Sequence, residues 1–134
     1  MNAIIESIPI FAKITEGVKN HILMGDIKEG EQITSSTQLS REYNINIATV
    51  NKAINILVAE GIVFKKRGIG MFVSEGAVEK LIAERRKVFE ESHVIELLRE
   101  AKRLRYTEQD LQQIVSSIYN EHKEELEKIG NQTK

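Results

Sequence analysis

Apolar residues recur at spacings of three and four from Phe11 through Ile14, Val18 and Ile22, with Ile10 beside them, the pattern of a helix with one buried face. Pro9 suits a first-turn position that needs no N–H, Ser7 stands nearby as a cap, and Gly25 follows as a stop. Residues 26–32 form a polar turn region, and Ile33 is assigned to a short extended piece. Leu39 and Tyr43 then lie four apart behind Ser35 and Gln38, whose spacing is that of a reciprocal capping box. Asn44 ends that helix. Asn46 is an N-cap for a third helix with Val50, Ala53, Ile54 and Leu57 on one face and Gly61 as its stop. Helices separated by so short a turn make a helix-turn-helix unit.

Beyond Gly61 the pattern shifts to two short β-prone runs, Ile62-Val63-Phe64 and Met71-Phe72-Val73. Residues 65–70 between them predict a hairpin with a loop longer than the tightest type, in the manner of a wing. No strand signal follows Gly76. Residues 77–106 are helical and charged, with Val78, Leu81, Ile82, Val88, Phe89, Ile95, Leu98 and Ala101 tracing roughly one stripe. Thr107 with Asp110 caps a further helix carrying Leu111, Ile114, Val115, Ile118 and Tyr119, and residues 130–134 are expected to fray. Two helices of this size cannot bury such stripes against each other alone. A partner chain is therefore expected, with Leu81, Val88, Phe89, Ile95, Leu98, Leu111, Ile114, Val115 and Ile118 at a dimer interface. The fold class is mainly α with a small β-hairpin. Residues 1–76 form a winged helix-turn-helix DNA-binding domain and residues 77–134 a helical dimerisation and effector tail.

Composition removes whole classes of chemistry. Cysteine is absent, which excludes disulfides, thiolate nucleophiles and cysteine-based zinc sites. No apolar run is long enough to span a bilayer and no leader-like N-terminus is evident, so a cytoplasmic protein without a membrane partner is expected. His21, His93 and His122 have no metalloprotease spacing; His93 with Glu96 and His122 with Glu125 read as surface pairs rather than metal ligands. No nucleophile and base pair is visible, no cofactor is implied, and an enzyme is not expected.

Charge acts locally. The net charge is -1, and a phosphate-binding protein usually shows a basic excess. Residues 1–76 carry eight Lys and Arg against eight Asp and Glu, but between Val50 and Val73 the charges are Lys52, Lys65, Lys66 and Arg67 against Glu60. With the apolar face of the third helix turned inward, Ala48, Thr49, Asn51, Lys52 and Asn55 point outward or to the flank. Asn pairs with adenine edges, Ala touches a thymine methyl, and Thr and Lys reach bases or phosphates. Arg67, beside Lys66 and between residues that lead into Gly68 and Gly70, suits a minor groove. These types point to double-stranded DNA; the alternative is a winged-helix adaptor that binds a protein without operator-specific DNA recognition.

Residues 9–73 resemble the winged helix-turn-helix of GntR-type bacterial transcription regulators. The resemblance is carried by Pro9-Ile10-Phe11, Gly25-Asp26-Ile27, Glu29-Gly30, the Ser35–Leu39 opening of helix two, Asn46, Ala48-Thr49-Val50, Lys52-Ala53, Leu57 through Gly61, and Arg67 through Val73. It implies that Ser35, Ser36 and Thr37 and the start of helix three at Asn46 and Ile47 join the DNA-binding surface. Thr34 replaces a frequent Pro, Thr37 replaces an arginine that commonly reads guanine, and Ile47 stands where Pro or Arg is frequent. These departures imply more A·T readout. The short tail resembles that of the YtrA-type subgroup, whose tail dimerises and whose members often repress transporter operons; Arg105 stands where a Gly is common. The resemblance implies a homodimeric repressor on an inverted-repeat operator, with a small-molecule effector left unidentified.

Overall fold

The computed structural model describes residues 8–132, so the cap expected at Ser7 lies outside the described residues. Helix α1 spans Ile10–Leu23, α2 Ser36–Tyr43 and α3 Ile47–Ala59; strands β1, Val63–Lys66, and β2, Gly70–Val73, follow. The chain divides into two units between Ile82 and Ala83.

In the first unit, the periodic positions read from the sequence meet. Ile14, Val18 and Ile22 of α1, Leu39 of α2, and Val50, Ala53, Ile54 and Leu57 of α3 share one core with Ile33, Ile62, Val63 and Val73. Burying each large aliphatic side chain contributes about 1.5–3 kcal/mol, so this set holds the helices together. Two polar residues are buried with it, both satisfied: Thr15 donates to the Ala12 carbonyl at 2.8 Å, and the Lys19 ammonium lies 2.9 Å from Glu60 at the end of α3.

Local chemistry sets the helix ends. Asn46 caps α3 by accepting from the Ala48 N–H at 2.8 Å. Ser35 caps α2 by accepting from the Gln38 N–H at 3.1 Å, but Gln38 turns its own side chain toward Glu42 at 3.5 Å, so the expected box is half made. Asn44 ends α2 in the left-handed region, φ 52°, which short polar side chains tolerate.

The hairpin is tighter than residues 65–70 suggested. Val63 pairs with Val73, Phe64 with Phe72, Lys65 with Met71 and Lys66 with Gly70, so Lys65, Lys66 and Gly70 are strand residues and only residues 67–69 form the tip. Gln32 bridges to Phe72, and the Ile33 N–H donates to the Met71 carbonyl at 2.9 Å, confirming the short extended piece.

Helix α4, Ala77–Val88, begins inside the first unit, where Ala77 and Leu81 are buried in the core. Its start is capped from far away in sequence: Glu29 accepts from the Gly76 N–H at 2.9 Å and the Val78 N–H at 3.0 Å. Those bonds, the Gly76 one first, hold the Glu29 carboxyl below its usual pKa. Its stabilisation is therefore present above the ordinary carboxylate pKa and is lost only as pH falls through that lowered value.

In the second unit the helix continues as a π-helical segment, Phe89–Val94, and α5, Ile95–Arg103; α6, Glu108–Glu121, and α7, Lys123–Gln132, follow. A π turn takes more residues than an α turn, which shifts the single stripe expected over residues 77–106. Thr107 and Asp110 cap α6 as expected, and do so through a reciprocal box with bonds of 2.9 and 3.1 Å. The helix extends to Gln132, beyond the point where fraying was expected.

Helix α5 ends with two backbone bonds, Tyr106 N–H to the Ala101 carbonyl at 3.0 Å and Arg105 N–H to the Lys102 carbonyl at 3.1 Å. This closure requires a left-handed residue, and Arg105 takes it at φ 65°. Cβ crowding makes that conformation costly for arginine. Arg105→Gly is expected to stabilise the chain by about 0.5–1 kcal/mol, part of the relief being offset by the greater freedom of the unfolded glycine. Thermal unfolding should show a rise of about 2–5 °C; a fall would mean that the arginine side chain makes a compensating contact.

Candidate nucleic-acid interface

One face of α3 collects the residue types selected from the sequence. Ala48, Asn51, Lys52 and Asn55 line a shallow depression of about 530 Å³ together with Ile56 and Ala59, and all four are exposed. Thr49 is half-buried, at the flank rather than on this face. The Asn46 side-chain oxygen Oδ1 accepts from the Ala48 N–H, and its Nδ2 is the group able to donate to a ligand. The Ser35 hydroxyl is similar: its oxygen accepts from Gln38, and its proton is available to an anion. Ser36 is half-buried, Thr37 is exposed, and Ile47 is an exposed aliphatic side chain beside the Asn46 cap.

The lysines are held on aromatic rings rather than extended. Lys52 Nζ lies 4.1 Å from the Phe11 ring centre, and Lys66 Nζ lies 4.3 Å from that of Phe72. Phe72 in turn faces Phe64 across the hairpin with ring centres 6.0 Å apart. A cation over a ring at an exposed site is worth about 0.5–1 kcal/mol, whereas a hydrogen bond to a charged group is worth about 1.5–3 kcal/mol. The rings pre-position the ammonium groups without holding them against a phosphate.

At the wing tip Arg67 and Gly68 are exposed and Ile69 is 64% exposed. Gln32 supports the tip by donating from Nε2 to the Ile69 carbonyl at 3.1 Å. Gly70 has φ 147°, which L side chains rarely adopt, and a Cβ there would stand 2.4 Å from Gln32 Nε2, so the flexible Gln32 side chain would have to move away from the tip. Sequence reasoning missed Gln32 and Glu29. Each acts on a group more than thirty residues away, and neither spacing nor periodicity reports such a contact.

The second unit presents the apolar residues expected at a dimer interface, with one correction. Leu81 is fully buried in the first unit's core and is unavailable to a partner, because the start of α4 packs into the head rather than standing free. Val88, Phe89, Ile95, Leu98, Val115 and Ile118 are between 39% and 56% exposed, and Leu111 and Ile114 are half-buried. Among the described residues of this unit, Ala101 is the one buried side chain.

Among the described residues no group of three or more His, Asp or Glu suited to a metal ion occurs. His93 stacks on Phe89 at 5.6 Å between ring centres, and His122 pairs with Glu125 at 3.4 Å. No described helix is long and apolar enough to cross a membrane.

The family of bacterial regulatory proteins named gntR matches residues 11–73. The arabinose metabolism transcriptional repressor of Halalkalibacterium halodurans is 37% identical over 67 residues, covering 50% of this chain and 18% of that protein. The transcriptional repressor YtrA of Bacillus subtilis is 36% identical over 76 residues, 57% of this chain and 58% of the relative. The chain thus spans less than two thirds of these curated relatives. Among solved structures, a Bacteroides thetaiotaomicron protein assigned as a GntR-family transcriptional regulator superposes with a TM-score of 0.69 at 25% identity, covering 85% of this chain and 99% of that one. These relatives are regulators, not enzymes. With its three helices, exposed α3 face and wing, the segment from residue 11 to residue 73 is a GntR-family winged helix-turn-helix domain.

Proposed function

We propose that this chain is a cytoplasmic, sequence-specific DNA-binding regulator that acts as a homodimeric repressor on an inverted-repeat operator. The observation that carries this reading is the single exposed face of α3 formed by Ala48, Asn51, Lys52 and Asn55. Helix α3 of each subunit enters a major groove, and the wing with Arg67 enters the adjacent minor groove. Ser35, Asn46 and the free amides at the starts of α2 and α3 hold phosphates and set the register. Repressors among the similar proteins support repression, and promoter occlusion is the mode proposed for it.

The second unit supplies the symmetry. Its open cleft of about 870 Å³, lined in part by Leu98, Ala101, Tyr106 and Leu111, and its exposed Val115, Ile118 and Tyr119 offer the apolar surface that a second copy of the same tail would fill and cover. The YtrA-type subgroup, and a transporter operon as the regulated unit, are proposed from the resemblance of the short tail and from the likeness to YtrA. A small-molecule effector would act by binding one arrangement of the paired heads better than the other.

Binding to a selected operator, followed against salt, tests the reading. Several phosphate contacts should lower affinity by about 10³-fold or more between 50 and 200 mM salt; a protein-binding adaptor would show no operator preference at any salt. Arg67→Ala is expected to weaken operator binding about tenfold or more through the loss of about 1–3 kcal/mol, with the dimer intact by light scattering. An unchanged affinity would remove the wing from recognition.

A further inference from the structure

We propose that Glu29 is a positioning residue that fixes the direction in which α4 leaves the DNA-binding head, and thereby the operator spacing the dimer accepts. The inference rests on the reading of the chain as an operator-binding dimer. Glu29 lies on the turn between α1 and α2, yet its two carboxylate oxygens accept from the Gly76 and Val78 amides at 2.9 and 3.0 Å. Those amides are that of the residue just before α4 and one in its first turn, and α4 runs through Val88 and so crosses from the first unit into the second.

The Ala77 N–H donates to the Ser74 carbonyl at 3.2 Å within its own turn, and the remaining anchors of that helix are apolar. Ala77 and Leu81 are buried in the head, and burial is non-directional, so an apolar contact resists withdrawal more than rotation or sliding. A carboxylate held to the two amides of Gly76 and Val78, on either side of Ala77, is directional and favoured by the positive end of the helix dipole. The platform carrying it is itself tied down. The Lys28 N–H donates to Glu31 Oε1 at 3.1 Å, and the Gly30 N–H donates to the Val73 carbonyl at 2.9 Å. Val73 ends β2, the strand that also carries one side of the wing. One short turn thus joins the wing strand to the root of the helix leading into the dimerisation tail.

In a two-fold dimer, the separation of the two heads depends on how rigidly each is held to its own tail helix. Loosening the root leaves each head able to bind a half-site but spreads the separations of the pair, so the second head engages at a lower effective concentration.

The test uses the full-length Glu29→Gln variant, whose neutral amide retains one acceptor oxygen. Affinity for an isolated half-site is expected to stay within about twofold of the parent, while affinity for the preferred inverted repeat falls about tenfold. Across repeats whose spacing differs by one base pair, the parent's preference should flatten in the variant. Hydrogen exchange at the Gly76 and Val78 amides, measured without DNA, should speed up. Unchanged full-site affinity and spacing preference would overturn the inference, as would an equal loss on half-site and full site, or unaltered exchange at those amides. A parent that binds no inverted repeat but loses amide protection in the variant would instead overturn the operator-binding reading, and the assigned role of Glu29 with it.

Discussion

Ile118→Glu is expected to convert the proposed dimer to monomers and to weaken binding to the full operator by about 10²–10⁴-fold, the range lost when two linked binding events become independent. Ile118 is 52% exposed on α6, in a chain segment where Val115 and Tyr119 are also exposed. It contributes little to the fold of its own subunit, so the substitution leaves the helices formed. In the proposed dimer a carboxylate there would lose its hydration, and the two-fold axis would impose that cost twice. Sedimentation should report the monomer, while half-site affinity stays near that of the parent because the first unit carries its own core. A stable dimer would move the interface elsewhere on the tail.

Asn51→Ala carries the next largest expected effect. A bidentate contact to adenine discriminates by about 1–3 kcal/mol, and both subunits lose it, giving about a 30-fold or greater loss on the operator. Preference for adenine at the contacted position should relax, while affinity for non-specific DNA should hold, since phosphate contacts carry that affinity. Selection from randomised sites should favour A·T pairs, because Thr37 and Ile47 supply no guanidinium for guanine. Strong selection of guanine opposite those two residues would overturn this account of readout.

The outward face of α3 was legible because helical periodicity is local. Once Val50, Ala53, Ile54 and Leu57 face inward, the positions of Ala48, Asn51, Lys52 and Asn55 follow from the helix pitch. The caps at Asn46 and Thr107 were legible for the same reason, each side chain bonding an amide two or three residues on. Strand limits were less so. Lys65 and Lys66 have weak β preference, and their membership of β1 depends on pairing with Met71 and Gly70. Leu81 was misassigned because its stripe continues into the tail without a break in pattern. Periodicity reports that a face is buried, not against what.

The local pattern by itself determined the order of helices and wing, the inward and outward faces of α3, and the excess of apolar surface on the tail, since each depends on residues within a few turns of one another. Tertiary structure alone decided which amides Glu29 caps, how Gln32 supports the wing tip, where Lys52 and Lys66 rest, and that α4 is rooted in the head through Ala77 and Leu81. These contacts join residues distant in sequence. The chain must close before they form, and their partners are chosen by which side chains the packed core brings within bonding distance.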